Sequence, residues 1–249
     1  MISKKVLLDA WWLTRKDFGN NRLMLIWNIL FNLYVVFTLL SMTSMGQRSD
    51  LSYNVTIFND VSLNFFVMGI VPIWGFPLSK AFLNYKKTDV YTKRIAYLKT
   101  MPISNQVIIC SRFLQIIIMV FAMAIVVFVP YFSILSHIGQ MPLNLLECLF
   151  YAFVWIGYSL TVGCLYICWE LGVKGKTYFI RCLLMMPFIV LGAFLLWWLF
   201  GQSVWIGMME WVQQFQVLLP IVSLALGTLA IIASAVWLNK RFAQRDLHG

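Results

Sequence analysis

Residues 107–133 read VIICSRFLQIIIMVFAMAIVVFVPYFS, and Arg112 is the one charged residue among them. A hydrocarbon core about 30 Å thick is crossed by about 20 mostly apolar helical residues, so this run is long enough to span. It is also too continuous for a barrel strand, which alternates over about ten residues. Five further runs share its character, at 23–45, 61–83, 143–169, 178–200 and 215–237. The reading is an all-α integral membrane protein, a single domain over residues 1–249 with six transmembrane helices.

Composition excludes a soluble fold. Hydrophobic residues make up 61% of the chain and charged residues 11%, against roughly 25% charged in a soluble domain. A water-soluble chain of this size buries only about 70–75% of its surface, so the excess apolar area must face lipid.

Orientation follows from the basic residues, because cytoplasmic loops near helix ends retain Lys and Arg. With the N-terminus inside, 18 of the 19 basic residues fall on the cytoplasmic side and only Arg48 falls outside. An error of one helix in the count would scramble that segregation. Both termini are therefore expected in the cytoplasm. The net charge of +10 then needs anionic lipid headgroups as its partner and no nucleic acid. The five cysteines, Cys110, Cys148, Cys164, Cys168 and Cys182, fall within or beside spans. They read as small buried hydrophobes, with no disulfide and no metal site.

Residues 3–18 carry Leu7, Ala10, Trp11, Thr14 and Phe18 at helical spacing on one side and Lys5, Asp9 and Lys16 on another. An interfacial amphipathic helix is expected, anchored by Leu7, Trp11, Trp12 and Phe18; the alternative is a frayed tail drawn to lipid. Asp9 and the run Arg15-Lys16-Asp17 interrupt the apolar core of a secretory signal, so the segment reads as part of the mature chain.

The longest cytoplasmic segment, 84–106, reads NYKKTDVYTKRIAYLKTMPISNQ. Tyr91, Ile95 and Leu98 share one helix face, Lys93, Arg94 and Lys99 occupy others, and Pro102 stops the helix. Such a helix docks in a groove of a soluble partner or lies on the lipid surface.

The order of elements and the stretch Leu-Lys-Thr-Met-Pro-Ile-Ser at 98–104, followed by Arg112 near the inner end of the next span, resemble one family. They are similar to the membrane subunits of the second export class of ATP-binding-cassette transporters. The resemblance implies that 84–106 is a coupling loop. Its contacts with a cytoplasmic ATP-binding-cassette ATPase would come from Tyr91, Ile95, Leu98, Lys99, Met101 and Pro102. Many members carry a Glu there; the nearest acid here is Asp89. The resemblance further implies a second six-span permease, identical or homologous, and a bacterial plasma membrane. ATP and Mg would sit on the partner ATPase, with no cofactor in this chain. Residues 201–214, GQSVWIGMMEWVQQ, resemble the re-entrant outer helix that caps the route in these exporters. Met208 and Met209 would give it a soft apolar surface, while Trp205 and Trp211 fit an outer aromatic belt equally well.

Polar residues within spans are Asn28, Asn32 and Asn64, which either line a route for an amphipathic cargo or hydrogen-bond between helices. Ser223, Gly227, Ala230 and Ser234 give small-residue steps that favour close helix packing. Pro72, Pro77 and Pro187 are expected to kink their helices.

Catalytic motifs fail. Gly175-Lys176-Thr177 ends like a phosphate-binding loop, but Glu170 stands where that loop needs Gly. His137 and His248 are the two histidines and belong to no zinc-protease pattern. All nine acids fall near span ends or in loops by these boundaries, which counts against a proton-driven carrier. The expectation is a non-enzymatic permease subunit exporting an amphipathic peptide, lipid or drug. The alternatives are a membrane enzyme with an unrecognised site and a six-span substrate-binding subunit of a vitamin importer.

Topology is checked by single cysteines in sealed cells. Replacements at Ser49 and Ser203 should react with an impermeant thiol reagent from outside, and one at Thr177 should not; labelling at Thr177 overturns the six-span arrangement.

Overall fold

Lipid offers no hydrogen-bond partner to a peptide group, so an apolar span must close its N–H and C=O bonds within itself. The computed structural model describes residues 3–20, 22–46, 52–76 and 90–244. Of these, 91% are helical and none is in a strand. The helices are α1 Lys4–Asn20, α2 Arg22–Gly46, α3 Tyr53–Ile70 followed by a 3-10 turn Val71–Gly75, α4 Val90–Thr100 and α5 Asn105–Ile138. They continue as α6 Leu145–Gly172, α7 Gly175–Phe200, α8 Val204–Phe215 and α9 Leu218–Gln244. Six are long and apolar enough to cross a membrane: α2, α3 with its 3-10 turn, α5, α6, α7 and α9.

Local chemistry sets the ends. Ser104 caps α5 by accepting from the Val107 amide at 3.4 Å. Asn144 and Glu147 form a reciprocal capping box at the start of α6, at 3.0 and 2.8 Å. Gly139 and Gly201 end α5 and α7 in the left-handed region, at φ +73° and +69°, where a Cβ would be strained.

The second span differs from expectation. It starts at Tyr53, not near 61, because Asn59, Asp60, Leu63, Asn64 and Val67 turn one polar-to-apolar face into the bundle. The polar start of α3 hid its helical character from a reading based on apolar runs. Asp60 is thereby placed about two turns inside the helix and is 7% exposed, which corrects the expectation that every acid lies near a span end or in a loop. Pro72, which has no N–H to continue the ladder, coincides with the change from α to 3-10 geometry. Arg48, Ser49, Pro77, Asp89 and His248 lie outside the described residues, as do 84–89 of the expected coupling loop. Ser203 is fully buried as the cap of α8, with its oxygen 3.3 Å from the Ile206 amide. A labelling cysteine at that end belongs at the exposed Gln140 instead.

Burial places α5 and α6 at the centre. Half or more of their apolar windows is buried, 50% and 56%, against 11% for α7 and for α9. Close approach needs small residues. A Cβ on Gly157 of α6 would clash with the Ser223 backbone of α9, and one on Gly227 would sit 3.2 Å from the Gly157 carbonyl. Ser223 Oγ donates to the Val154 carbonyl at 2.7 Å across the same crossing. Ile116 of α5 fills the space left by Gly75 and Gly163, where an added Cβ would collide with it.

Gly157→Leu should therefore lower the stability of the purified chain by at least about 1–3 kcal/mol through overpacking. Gly69→Ala, which has open space around it, should be neutral or stabilising through helix propensity. Thermal melting of both variants in detergent checks this, and an unchanged Gly157→Leu melt would sink the crossing.

Candidate functional site at the basic end

The alternation of spans puts α1, α4, the start of α5 and the end of α6 at one end of the bundle, together with most basic residues. Thr14 fixes α1 there: its hydroxyl lies between the Ala10 carbonyl at 2.9 Å and the Ser111 carbonyl at 3.0 Å. Ala10, Leu13 and Thr14 are the buried face of α1. Of the expected anchors, Leu7, Trp11 and Trp12 stay exposed, and Phe18 is half-buried against the core. Lys16 Nζ stands 5.2 Å from the centre of the Trp12 ring, near enough for a cation–π contact.

Arg112 of α5 and Glu170 of α6 make a shielded ion pair. Arg112 donates from Nε at 3.1 Å and from Nη2 at 2.7 Å, both to Glu170 Oε2. Its Nη1 donates to Gln115 Oε1. The side chains are 14% and 6% exposed, and the Phe76 ring lies with its centre 5.8 Å from the guanidinium carbon. Phe76 in turn packs edge-on to Tyr166 at 5.9 Å. A cavity of about 30 Å³ adjoins the pair, bordered by Asp17, Ile95, Leu98, Ser111, Arg112 and Glu170. It is large enough for one water.

Helix α4 rests on this junction by its apolar face. Ile95 is 4% exposed and Leu98 half-buried, both packed into the core cluster. The face presented outward is Lys93, Tyr97, Thr100 and Pro102, with Lys99 and Met101 half-buried. The side chain of Tyr91 lies outside the described residues. A groove of about 490 Å³ runs between α1 and the α4–α5 connection, bordered by Lys5, Asp9, Trp12, Pro102 and Ile103.

The opposite end is closed by α8. Trp205 is fully buried; its Nε1 donates to the Tyr131 hydroxyl at 2.8 Å, which lies 3.1 Å from Thr43 Oγ1. Tyr151 donates to the Trp205 carbonyl at 2.9 Å. Trp205 thus occupies the bundle interior rather than an outer belt. Met209 is buried beside it and Met208 half-buried. Asn64 bonds through both ends of its amide: Nδ2 donates to the Ala193 carbonyl at 3.2 Å, and Oδ1 accepts from the Val204 amide at 2.7 Å. Asn28 and Asn32 are buried between helices; Asn32 Nδ2 donates to the Asn28 carbonyl at 2.8 Å and meets Met123 Sδ at 3.3 Å. Among the described residues no group of His, Cys, Asp and Glu converges to hold a metal ion.

Arg112 and Glu170 stand 58 residues apart in the sequence. Their pairing was available only as opposite charges at the same-side ends of consecutive spans. Removing one partner leaves a buried charge and should cost about 3–5 kcal/mol, whereas replacing both with apolar side chains should be near neutral. Melting of Glu170→Leu, Arg112→Met and the double variant measures this, and single variants as stable as the double would contradict the pairing.

Comparison with known protein families, characterised proteins and solved structures finds no match to this chain.

Proposed function

We propose that the chain is the permease subunit of an ATP-driven exporter whose ATPase is a separate cytoplasmic subunit. The observation that carries the reading is α4, a short helix between the second and third spans. Its apolar face is seated on the bundle, and its outer face is left for a partner. A docked ATPase pushing on Tyr97, Met101 and Pro102 would move a helix already packed against α6 and α7. The Arg112–Glu170 pair would then couple α5 to α6, so movement at the basic end reaches the two central spans. The resemblance of 98–104 to the exporter family supports the same assignment.

In this arrangement two six-span chains form the pathway in a bacterial plasma membrane, with both termini in the cytoplasm and anionic lipids against the basic end. ATP and Mg are bound by the partner. Cargo is an amphipathic peptide, lipid or drug, because the spans offer an apolar route with few charges.

Roles within α4 separate in a mutant series. Tyr97→Asp combined with Lys93→Glu changes only exposed positions, so the chain should melt as the parent does while losing co-purified ATP hydrolysis in mild detergent. Ile95→Asp puts a charge in the core and should destabilise the chain by several kcal/mol. Full retention of an ATP-binding-cassette ATPase by the Lys93/Tyr97 variant would reject docking through α4.

A further inference from the structure

A second site lies at the opposite end, between the start of α3 and the end of α7. A cleft of about 310 Å³ opens there, bordered by Tyr53, Thr56, Asp60, Trp197, Trp198 and Gly201. Asp60 borders it, 7% exposed, and among the described residues no ion pair or hydrogen bond engages its carboxylate. Two neighbouring donors are committed elsewhere. Asn59 Nδ2 donates to the Met42 carbonyl at 3.0 Å, and Thr56 Oγ1 points to the Ser52 carbonyl at 3.4 Å. Among the described residues no basic one borders the cleft.

An ionised carboxylate shielded from water without a partner is costly, and a cation entering from the open side relieves that cost. The chemistry of the walls selects the cation. A hard metal ion wants six or more oxygens, whereas this cleft offers one carboxylate, the hydroxyls of Tyr53 and Thr56, and three aromatic rings. Ring faces beside a single negative charge suit an ammonium group carrying apolar substituents. We propose that the α3–α7 cleft binds an organic ammonium cation, with Asp60 as counter-ion and Tyr53, Trp197 and Trp198 as its aromatic walls. The ammonium is carried either by a free amphiphile or by a choline-type lipid headgroup. The site is remote from α4 and does not depend on its role.

The test uses the full chain in nanodiscs of phosphatidylglycerol, which has no ammonium headgroup, titrated calorimetrically with tetraethylammonium. Saturable binding is expected, weakened at least tenfold by Asp60→Asn and less by Trp197→Ala or Trp198→Ala. Glu210→Gln, an exposed carboxylate at the same end bonded by Gln202 at 2.9 Å, should leave binding unchanged. Without probe, Asp60→Asn should melt at or above the parent temperature, because it removes an uncompensated charge of the same shape. Adding phosphatidylcholine assigns the source: loss of the tetraethylammonium signal by competition identifies a lipid headgroup, and its persistence identifies a free cation, both supporting the site. No saturable binding to the parent chain overturns the proposal. Equal binding by Asp60→Asn also overturns it, as does a lowered Asp60→Asn melt with probe affinity unchanged, which would make Asp60 a structural residue.

Discussion

Every polar group that this chain carries into lipid must find its partner inside the protein, because hydrocarbon supplies none. Backbone groups meet that demand by forming helices. Side chains meet it between helices, and those bonds set which spans lie together. Thr14 reaches the Ser111 carbonyl, Ser223 reaches Val154, Asn64 joins Ala193 to Val204, and Ser159 donates to the Val71 carbonyl at 2.9 Å. Without these, helices of equal greasiness would have little reason to prefer one neighbour over another, since lipid tails are as apolar as Leu.

Close packing then converts those bonds into a rigid centre. Gly157 lets α9 lie almost backbone to backbone on α6, and Gly75 with Gly163 admits the Ile116 side chain of α5. The pair α5 and α6 is thereby clamped from two sides, while α7 and α9 keep most of their surface for lipid or another chain. Arg112 and Glu170 close the same pair at the basic end. At that end α1 packs on α5, and α4 on α6 and α7.

The two ends are built on different physics. At the basic end the polar groups are charged and paired, with Phe76 covering the guanidinium. At the opposite end the interior is aromatic and neutral, with Trp205 tilted against Trp155 at 5.1 Å and edge-on to Tyr151 at 5.2 Å. A neutral aromatic plug excludes water without desolvating a charge, and the Trp205 indole and the Tyr131 hydroxyl bond one another within it. Asp60 is the exception at that end, a carboxylate with an aromatic-walled opening beside it and no counter-charge among the described residues.

Length, apolar runs and the distribution of Lys and Arg were enough to read six membrane-length helices from sequence, because crossing hydrocarbon constrains composition directly. The same rule failed at α3, whose first two turns mix polar with apolar residues and stay largely exposed, with Asn59 and Asp60 turned inward; only packing could place Asp60 inside a span. The small residues of α9 announced a close crossing, yet its partner, Gly157 of α6, depended on which helix came to lie beside it. Ile95 and Leu98 were legible as an apolar face, but a helical pattern does not say whether that face meets a partner or its own bundle. Tertiary structure turned it inward. Likewise Arg112 and Glu170, 58 residues apart, became a pair only when two antiparallel spans brought their ends together. Sequence determined what must enter the membrane, since that is a one-dimensional transfer energy; which polar groups share a site was decided by three-dimensional neighbours.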